Sequence, residues 1–479
     1  MVLKTEIVQQ LRRIIKPGRI LTKEADLVSY GYDASFGFYK PDVVLQVKNE
    51  NEVSAVMKLA NQLRIPVTPR GQASSLSGGP LPVKGGMVLD FSQWSKSLKI
   101  DSEDLVAVVS PGVITADLDD AAARYGLMYP PDPGSSHFST IGGNLAENSG
   151  GPRCLKYGVT KDYVIGLKVV TPQGEVIRTG GRTVKNVTGY DLTKLIVGSE
   201  GTLGIITEAT LRLLPRPLST QTMMLTFDHF VDSGKTVTRI LTSGILPAKV
   251  EMMDQASIRA VEAYQPQNLP VDAEAILLIE LDGHPAAVAD EAERIRSLAK
   301  AMAARSVKIA HSSEEARKLW KARKLVSPAI ASKKPTKISE DATVPRSKIA
   351  EFCHRLQEIR NTYKIDLVVF GHVGDGNLHP NIICDKRNRE EMKRVQKAIE
   401  EIFHAAIDLG GTLSGEHGIG TMKRAYMPWE LSPVELDMMK RIKLAWDPNN
   451  ILNPSKIFPA PDRSWCCRNE PESERQTRL

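Results

Sequence analysis

Hydrophobic and polar positions follow two textures along this chain, and the change falls at Pro215 and Pro217. At the start, Leu3, Ile7, Val8, Leu11, Ile14 and Ile15 recur at helical spacing with Arg12 and Arg13 on another face. The pattern predicts an amphipathic first helix and not a signal peptide. Residues 43–47 form an apolar run, 51–63 a helical pattern opened by Asn51, and 65–69 a second apolar run. That order predicts a strand–helix–strand beginning. Further strands are predicted at 105–110, 164–171, 175–179 and 205–214, the middle two as a hairpin around Gly174, with a helix at 115–125. Beyond the two prolines, strands at 222–227 and 275–281 alternate with amphipathic helices at 231–243 and 287–304, an α+β spacing. Helices follow at 319–331, 390–409 and 433–445, with a strand and turn at 337–345. Past Pro459 the tail is polar and predicted to be disordered.

One hairpin carries the sharpest chemistry. Residues 365–370 read as a buried strand, and Gly371-His372-Val373-Gly374-Asp375-Gly376-Asn377-Leu378-His379-Pro380-Asn381 follows it. Asp375-Gly376 suits a two-residue type I′ turn, whose central positions both need positive φ. Centred there, the register sets His372 opposite His379, on one face and with Cβ atoms about 5 Å apart. Two imidazoles so placed can share a metal ion at roughly 2.0–2.1 Å from each nitrogen. A second stretch, Ser414-Gly415-Glu416-His417-Gly418-Ile419-Gly420, offers a carboxylate and an imidazole between glycines. The predicted set is a metal on His372, His379 and Glu416, with His417 left as a base.

Composition narrows the classes. A chain of 479 residues suggests two or three domains. The net charge of +7, from 63 basic and 56 acidic residues, is dispersed, and no Lys/Arg run with interleaved aromatics appears. Nucleic acid is therefore not an expected partner. Five cysteines show no CxxC spacing, which argues against an iron–sulfur cluster or structural zinc, and Cys466-Cys467 are expected to be free thiols. No run reaches the length of a membrane span, so the expected location is cytoplasmic or membrane-associated through a partner.

Several loops are built from small residues. Arg70-Gly71-Gln72-Ala73-Ser74-Ser75-Leu76-Ser77-Gly78-Gly79 can turn backbone N–H groups and hydroxyls toward a pyrophosphate. Neither GxGxxG nor GxxxxGK[ST] occurs, which disfavours the usual dinucleotide and P-loop sites. Ile141-Gly142-Gly143-Asn144-Leu145-Ala146-Glu147-Asn148-Ser149-Gly150-Gly151 reads as a backbone cradle and as an unlikely helix interior.

Three blocks, SLSGG at 75–79, PPDPGS with IGGNLAENSGGPRCLKYG over 130–158, and GSEGTLGIITEATLRLLP at 198–215, resemble the FAD-linked oxidases of the vanillyl-alcohol-oxidase type. GHVGDGNLHPN and SGEHGIG, with VEMMD at 250–254 and VDAEAILLIELDG at 271–283, resemble the branch that oxidises α-hydroxy acids, which includes glycolate oxidase FAD-linked subunits and FAD-dependent D-lactate dehydrogenases. The resemblance spans residues 20–458. It implies an α+β fold: a helical segment at 1–35, a two-part PCMH-type FAD domain at 36–217, and a substrate domain with an antiparallel sheet at 218–410. A segment at 411–458 would return to the flavin, leaving 459–479 as tail. It also implies non-covalent FAD on Arg70, Gly71, Gln72, Ala73, Ser74, Ser75, Leu76 and Ser77. Pro131, Gly142, Gly143, Ser149, Gly151, Gly158, Gly201 and Ile206 would border the flavin, with Asn453 near its ring.

The implied reaction oxidises a small 2-hydroxy acid, glycolate or D-lactate. A divalent metal, zinc or alternatively manganese or iron, would lower the hydroxyl pKa so that His417 can take its proton. By the same resemblance Arg323 would grip the substrate carboxylate, Asn381 would donate to substrate, and Lys337 stands near the place of a substrate lysine, which here is Ser339. With no iron–sulfur or NAD signature, the flavin's electrons are expected to go to an iron–sulfur subunit, an electron-transferring flavoprotein or a quinone. The alternatives are a D-2-hydroxyglutarate dehydrogenase and a non-catalytic flavin-binding subunit.

Overall fold

A computed structural model of the protein describes residues 5–459. Leu3, the Cys466-Cys467 pair and the polar tail lie outside the described residues. The described chain forms two compact units. One comprises the chain up to Ser149, then Val159–Arg216, then the chain from Glu416 onward; the other comprises Gly150–Gly158 and Pro217–Gly415. This differs from the expected linear division in three places. Residues 150–158 cluster with the second unit, and the return to the first begins after Gly415 and not after 410. The opening helix, Thr5–Ile14, is no separate segment. Leu11 and Ile15 are buried in one core with Val43, Leu45, Val56 and Met57, because the apolar face read from the sequence has nowhere else to hide.

In the first unit, strands Val43–Gln46 and Val67–Arg70 both run parallel to Met87–Asp90, which lies between them. The helix Glu50–Leu63 joins them, but its cap is Asn49 and not Asn51. The Asn49 side chain accepts from the Glu52 N–H at 3.0 Å, which places Asn51 inside the first turn. A five-stranded antiparallel sheet follows, in the order Leu98–Asp101, Val106–Val109, Ile205–Arg212, Val164–Val170, Val176–Gly180. The closing segment is stitched to the first sheet by Val67 N–H to Ile451 O at 2.8 Å and Asn453 N–H to Val67 O at 2.7 Å.

The stretch judged an unlikely helix interior is a helix, Ile141–Glu147. Thr140 caps it by accepting from the Gly143 N–H, and Asn148 ends it at φ 55°. The glycine penalty is small here because Gly142 and Gly143 occupy the first turn, where no intrahelical N–H bond is lost. A Cβ at Gly142 would meet Pro111, at 2.8 Å from its Cβ.

The second unit is built on eight antiparallel strands. Seven run in the order Ala304–Ile309, Ser219–Phe227, Ala275–Gly283, Lys249–Asp254, Asp366–His372, Asn377–Cys384, Thr336–Ser339, and Ala342–Thr343 pairs with Asn377–Cys384. The helix Ser313–Ala331 covers one face. Its Leu319, Ala322 and Val326 share a core with Met253, Val368, Phe370 and Ile383.

The central hairpin exists, with a different turn. His372 pairs with Asn377 and Phe370 with His379, so the connection is the four residues Val373 to Gly376. Gly376 has φ 86°, Asp375 has no positive φ, and Gly376 N–H bonds to Val373 O at 3.2 Å. A type I′ turn needs both central residues left-handed, so this one is excluded. The register slips by two residues. Because side chains alternate with period two, His372 and His379 remain on one face, now as a diagonal pair.

Candidate active site

The hairpin brings the two predicted imidazoles together. His372 and His379 are both buried, at 6% and 5% exposure, with ring centroids 5.0 Å apart and planes at 90°. Glu251, on the strand Lys249–Asp254, reaches His372 because that strand pairs Met252 with Gly371, one step before the facing position. Its Oε1 lies 2.5 Å from His372 Nδ1, and its Oε2 accepts from Arg323 Nε at 2.7 Å. Burial alone would raise the Glu251 carboxyl. The charges of His372 and Arg323 and the His372 hydrogen bond outweigh it and pull the group down to about 2. An ionised Glu251 accepts only, so Nδ1 of His372 carries a hydrogen and the ring is oriented from that side.

A second buried carboxylate organises the other side. Asp341, fully buried, accepts from Asn377 Nδ2 at 2.5 Å and from Ser414 Oγ at 2.7 Å, and lies 3.9 Å from His379 Nδ1. Gly415 packs against this group, since a Cβ there would stand 2.1 Å from Asn377 Nδ2 and 2.2 Å from Thr343 Oγ1. Asn377 is the register partner of His372. Glu416 and His417, both half-buried, are the next two residues of the chain and open the last segment of the first unit.

The predicted substrate groups share the histidine face. Arg323 lies over the Phe370 ring, 4.6 Å from its centroid, with its Nε engaged by Glu251. Lys337 Nζ donates to Ser327 Oγ at 2.9 Å, one helical turn beyond Arg323, and burial pushes its pKa down. Ser339 pairs with Asn381, so Lys337 and Ser339 point as His379 does. Asn381 is completely buried and its Nδ2 donates to the His379 carbonyl at 2.8 Å. That bond uses one of its two amide N–H donors and ties the side chain to the histidine strand.

Glu251 and Asp341 were not among the predicted site residues, although Glu251 lies inside the VEMMD block. A lone charge among Val250, Met252 and Met253 in a buried strand was the physical clue to the first.

The predicted flavin loops also meet. A Cβ on Gly71 would stand 2.2 Å from Thr140 Oγ1, so the 71–77 loop lies against the cap of the Ile141–Glu147 helix. Ser75 Oγ donates to Glu147 Oε1 at 3.1 Å and touches Ser77 Oγ at 3.0 Å. Asn453 Nδ2 donates to Gly79 O at 3.0 Å and Glu200 O at 2.7 Å, while its buried Oδ1 and the Glu147 Oε2 have no hydrogen-bond partner among the described residues. Bare backbone beside buried, unsatisfied acceptors is what a large ligand with N–H groups needs, and the residues fit FAD. Gly201, at φ 65°, packs against Pro69 in the same unit, where Pro131 and Ile206 are buried and Ser149 is half-buried. Gly151 and Gly158 belong to the other unit. Arg70 leads into the 71–77 loop. Its guanidinium sits 5.3 Å over the Tyr30 ring and donates to Tyr30 O.

Around this cradle the titratable groups are displaced by burial. It pushes Glu147, Glu200 and Asp33 up, and it draws Lys456, whose Nζ donates to Leu81 O at 2.5 Å, down to about 7 against the pull of Asp33 and Glu200.

Residues 41–180 match the family described as FAD binding domain, and residues 216–457 match FAD linked oxidases, C-terminal domain. Fold and site thus define an FAD-dependent oxidoreductase of two domains, the first of the PCMH type and the second carrying the antiparallel sheet. The chain belongs to the FAD-linked oxidases, as its sequence blocks implied. The glycolate oxidase subunit GlcD of Bacillus subtilis is 46% identical over 454 residues, 95% of this chain and 97% of the relative. The D-lactate dehydrogenase of Archaeoglobus fulgidus is 37% identical over 87% of this chain and 91% of its own. Among solved structures, p-cresol methylhydroxylase with substrate bound shares the fold at a TM-score of 0.81 and 18% identity, covering 96% of this chain and 98% of that one. No helix among the described residues is long and apolar enough to cross a membrane.

Proposed function

We propose that the protein oxidises a small 2-hydroxy acid, glycolate or D-lactate, to the 2-oxo acid. The observation that carries this reading is the buried His372–His379 pair, with the His372 ring held at Nδ1 by Glu251 and two cationic side chains on the same face. Relatives named as glycolate oxidase subunits and D-lactate dehydrogenases support it. When bound, FAD supplies a hydride acceptor and a divalent cation supplies the Lewis acidity that brings a hydroxyl pKa within reach of an imidazole. His372 and His379 would hold the cation with Glu416. The donor set of two imidazoles and a carboxylate fits zinc and leaves room for manganese or iron. His417 takes the hydroxyl proton. Arg323, its Nε committed to Glu251, presents its remaining guanidinium N–H groups to the substrate carboxylate.

A second substrate class is favoured by one observation. Lys337 brings an ammonium one helical turn from Arg323, which suits a second carboxylate such as that of D-2-hydroxyglutarate. Electrons then leave through a partner, an iron–sulfur subunit, an electron-transferring flavoprotein or a quinone, in keeping with relatives named as subunits. Anaerobic stopped-flow mixing of the FAD-loaded protein with glycolate, D-lactate, L-lactate and D-2-hydroxyglutarate tests the assignment. Bleaching of the flavin by glycolate or D-lactate is expected. Bleaching by D-2-hydroxyglutarate alone transfers the assignment to the larger acid, and no bleaching by any of the four would mean a flavin subunit that assembles without turning over substrate.

A further inference from the structure

The turn after His417 is held by a residue far away in the chain. The Ile419 N–H donates to Glu200 Oε1 and the Gly420 N–H to Glu200 Oε2, each at 2.7 Å. Glu200 is itself fixed. It sits at φ 51° beside Gly201 at 65°, and its carbonyl accepts from Asn453 Nδ2. The same turn leans on the predicted pyrophosphate loop, since Thr421 N–H donates to Ser77 O at 2.9 Å and a Cβ on Gly420 would stand 2.1 Å from that oxygen. Ile457 N–H closes the third side on Gly420 O at 3.0 Å. Gly418 leaves no slack, because a Cβ there would meet Glu147 Oε2 at 2.3 Å and Glu200 Oε1 at 3.1 Å. Nothing in sequence spacing suggests this arrangement, for Glu200 and Gly420 are 220 residues apart.

We propose that Glu200 is a positioning residue for proton transfer: its carboxylate, gripping two successive backbone N–H groups, fixes the turn that presents His417. The role rests on the reading of His417 as the base. A carboxylate bridging adjacent N–H groups sets both the position and the tilt of the peptide planes, which a single hydrogen bond does not. Misplacing a general base by about 1 Å can cost on the order of a hundredfold in rate.

The test uses the FAD-loaded full chain. In Glu200→Gln the amide nitrogen faces a backbone N–H and one of the two grips is lost. Hydrogen–deuterium exchange of a peptide spanning 417–422 should speed up by about tenfold or more, the equivalent of one lost backbone hydrogen bond, while peptides elsewhere and the FAD content stay unchanged. Flavin reduction by glycolate should slow by about ten- to a hundredfold, and the limb of its pH profile that reports the base should move. Glu200→Asp, which keeps the charge but shortens the reach, should fall between the two and serves if the amide variant does not fold. Unchanged local exchange with wild-type reduction overturns the proposal, as does faster exchange across the whole first unit with loss of FAD. His417→Ala is run in parallel. If it reduces flavin at the wild-type rate, the base reading falls and the proposal with it. If it is slow while Glu200→Gln is fast, the proposal alone falls.

Discussion

Replacing His417 by alanine is expected to slow reduction of the bound flavin by about a hundred- to ten-thousandfold, the span that a positioned general base contributes, with FAD still bound. Retention of FAD follows from where the cradle lies. The 71–77 loop, the Ile141–Glu147 helix and Asn453 are built from residues that do not include His417, and their mutual contacts run through Thr140, Ser75, Glu147 and Gly79. The loss should be largest below the pKa of the substrate hydroxyl and shrink as the pH rises and solvent hydroxide substitutes for the base. Flavin spectra and single-turnover rates on one sample separate the two effects. A His417→Ala protein that bleaches at the wild-type rate would remove His417 from the chemistry.

The second large effect is on the fold of the site. Glu251→Ala leaves the Arg323 guanidinium and the His372 Nδ1–H buried without their acceptor, and removing one partner of a buried ion pair costs about 3–5 kcal/mol. Urea melts should show that loss at neutral pH. The sign with pH follows from the depressed pKa. Glu251 is pulled below its ordinary value of 4.5 to about 2, so its contribution is fully present above about pH 4.5 and is lost as the pH falls through 2. The gap between wild type and Glu251→Ala should therefore close in acid. Glu251→Gln keeps the shape and should lose less. Equal stability of all three proteins across the range would show that the Glu251 contacts contribute nothing.

Local pattern carried part of this structure. The hairpin and its shared histidine face were legible because a strand alternates with period two. The turn was misjudged by two residues and the face survived, whereas an error of one would have parted His372 from His379. Alternation likewise put Lys337 on the face of Ser339. Long-range partners were not legible. Glu251 meets His372 across 121 residues and Asn377 meets Asp341 across 36, and no spacing rule joins such positions. The Ile141–Glu147 helix was missed because its glycines were weighed as helix interior, although they stand in the first turn. Residues 150–158 join the second unit because contacts decide compactness, whereas composition suggests one continuous loop.

Metal removal is the most direct test of the claim on which the chemistry depends. Dialysis of the FAD-loaded protein against a chelator should leave the flavin spectrum intact and abolish bleaching by glycolate, and added zinc or manganese should restore it. Bleaching at the original rate in a sample shown by elemental analysis to hold no divalent ion would contradict the account and leave His372 and His379 as a structural pair.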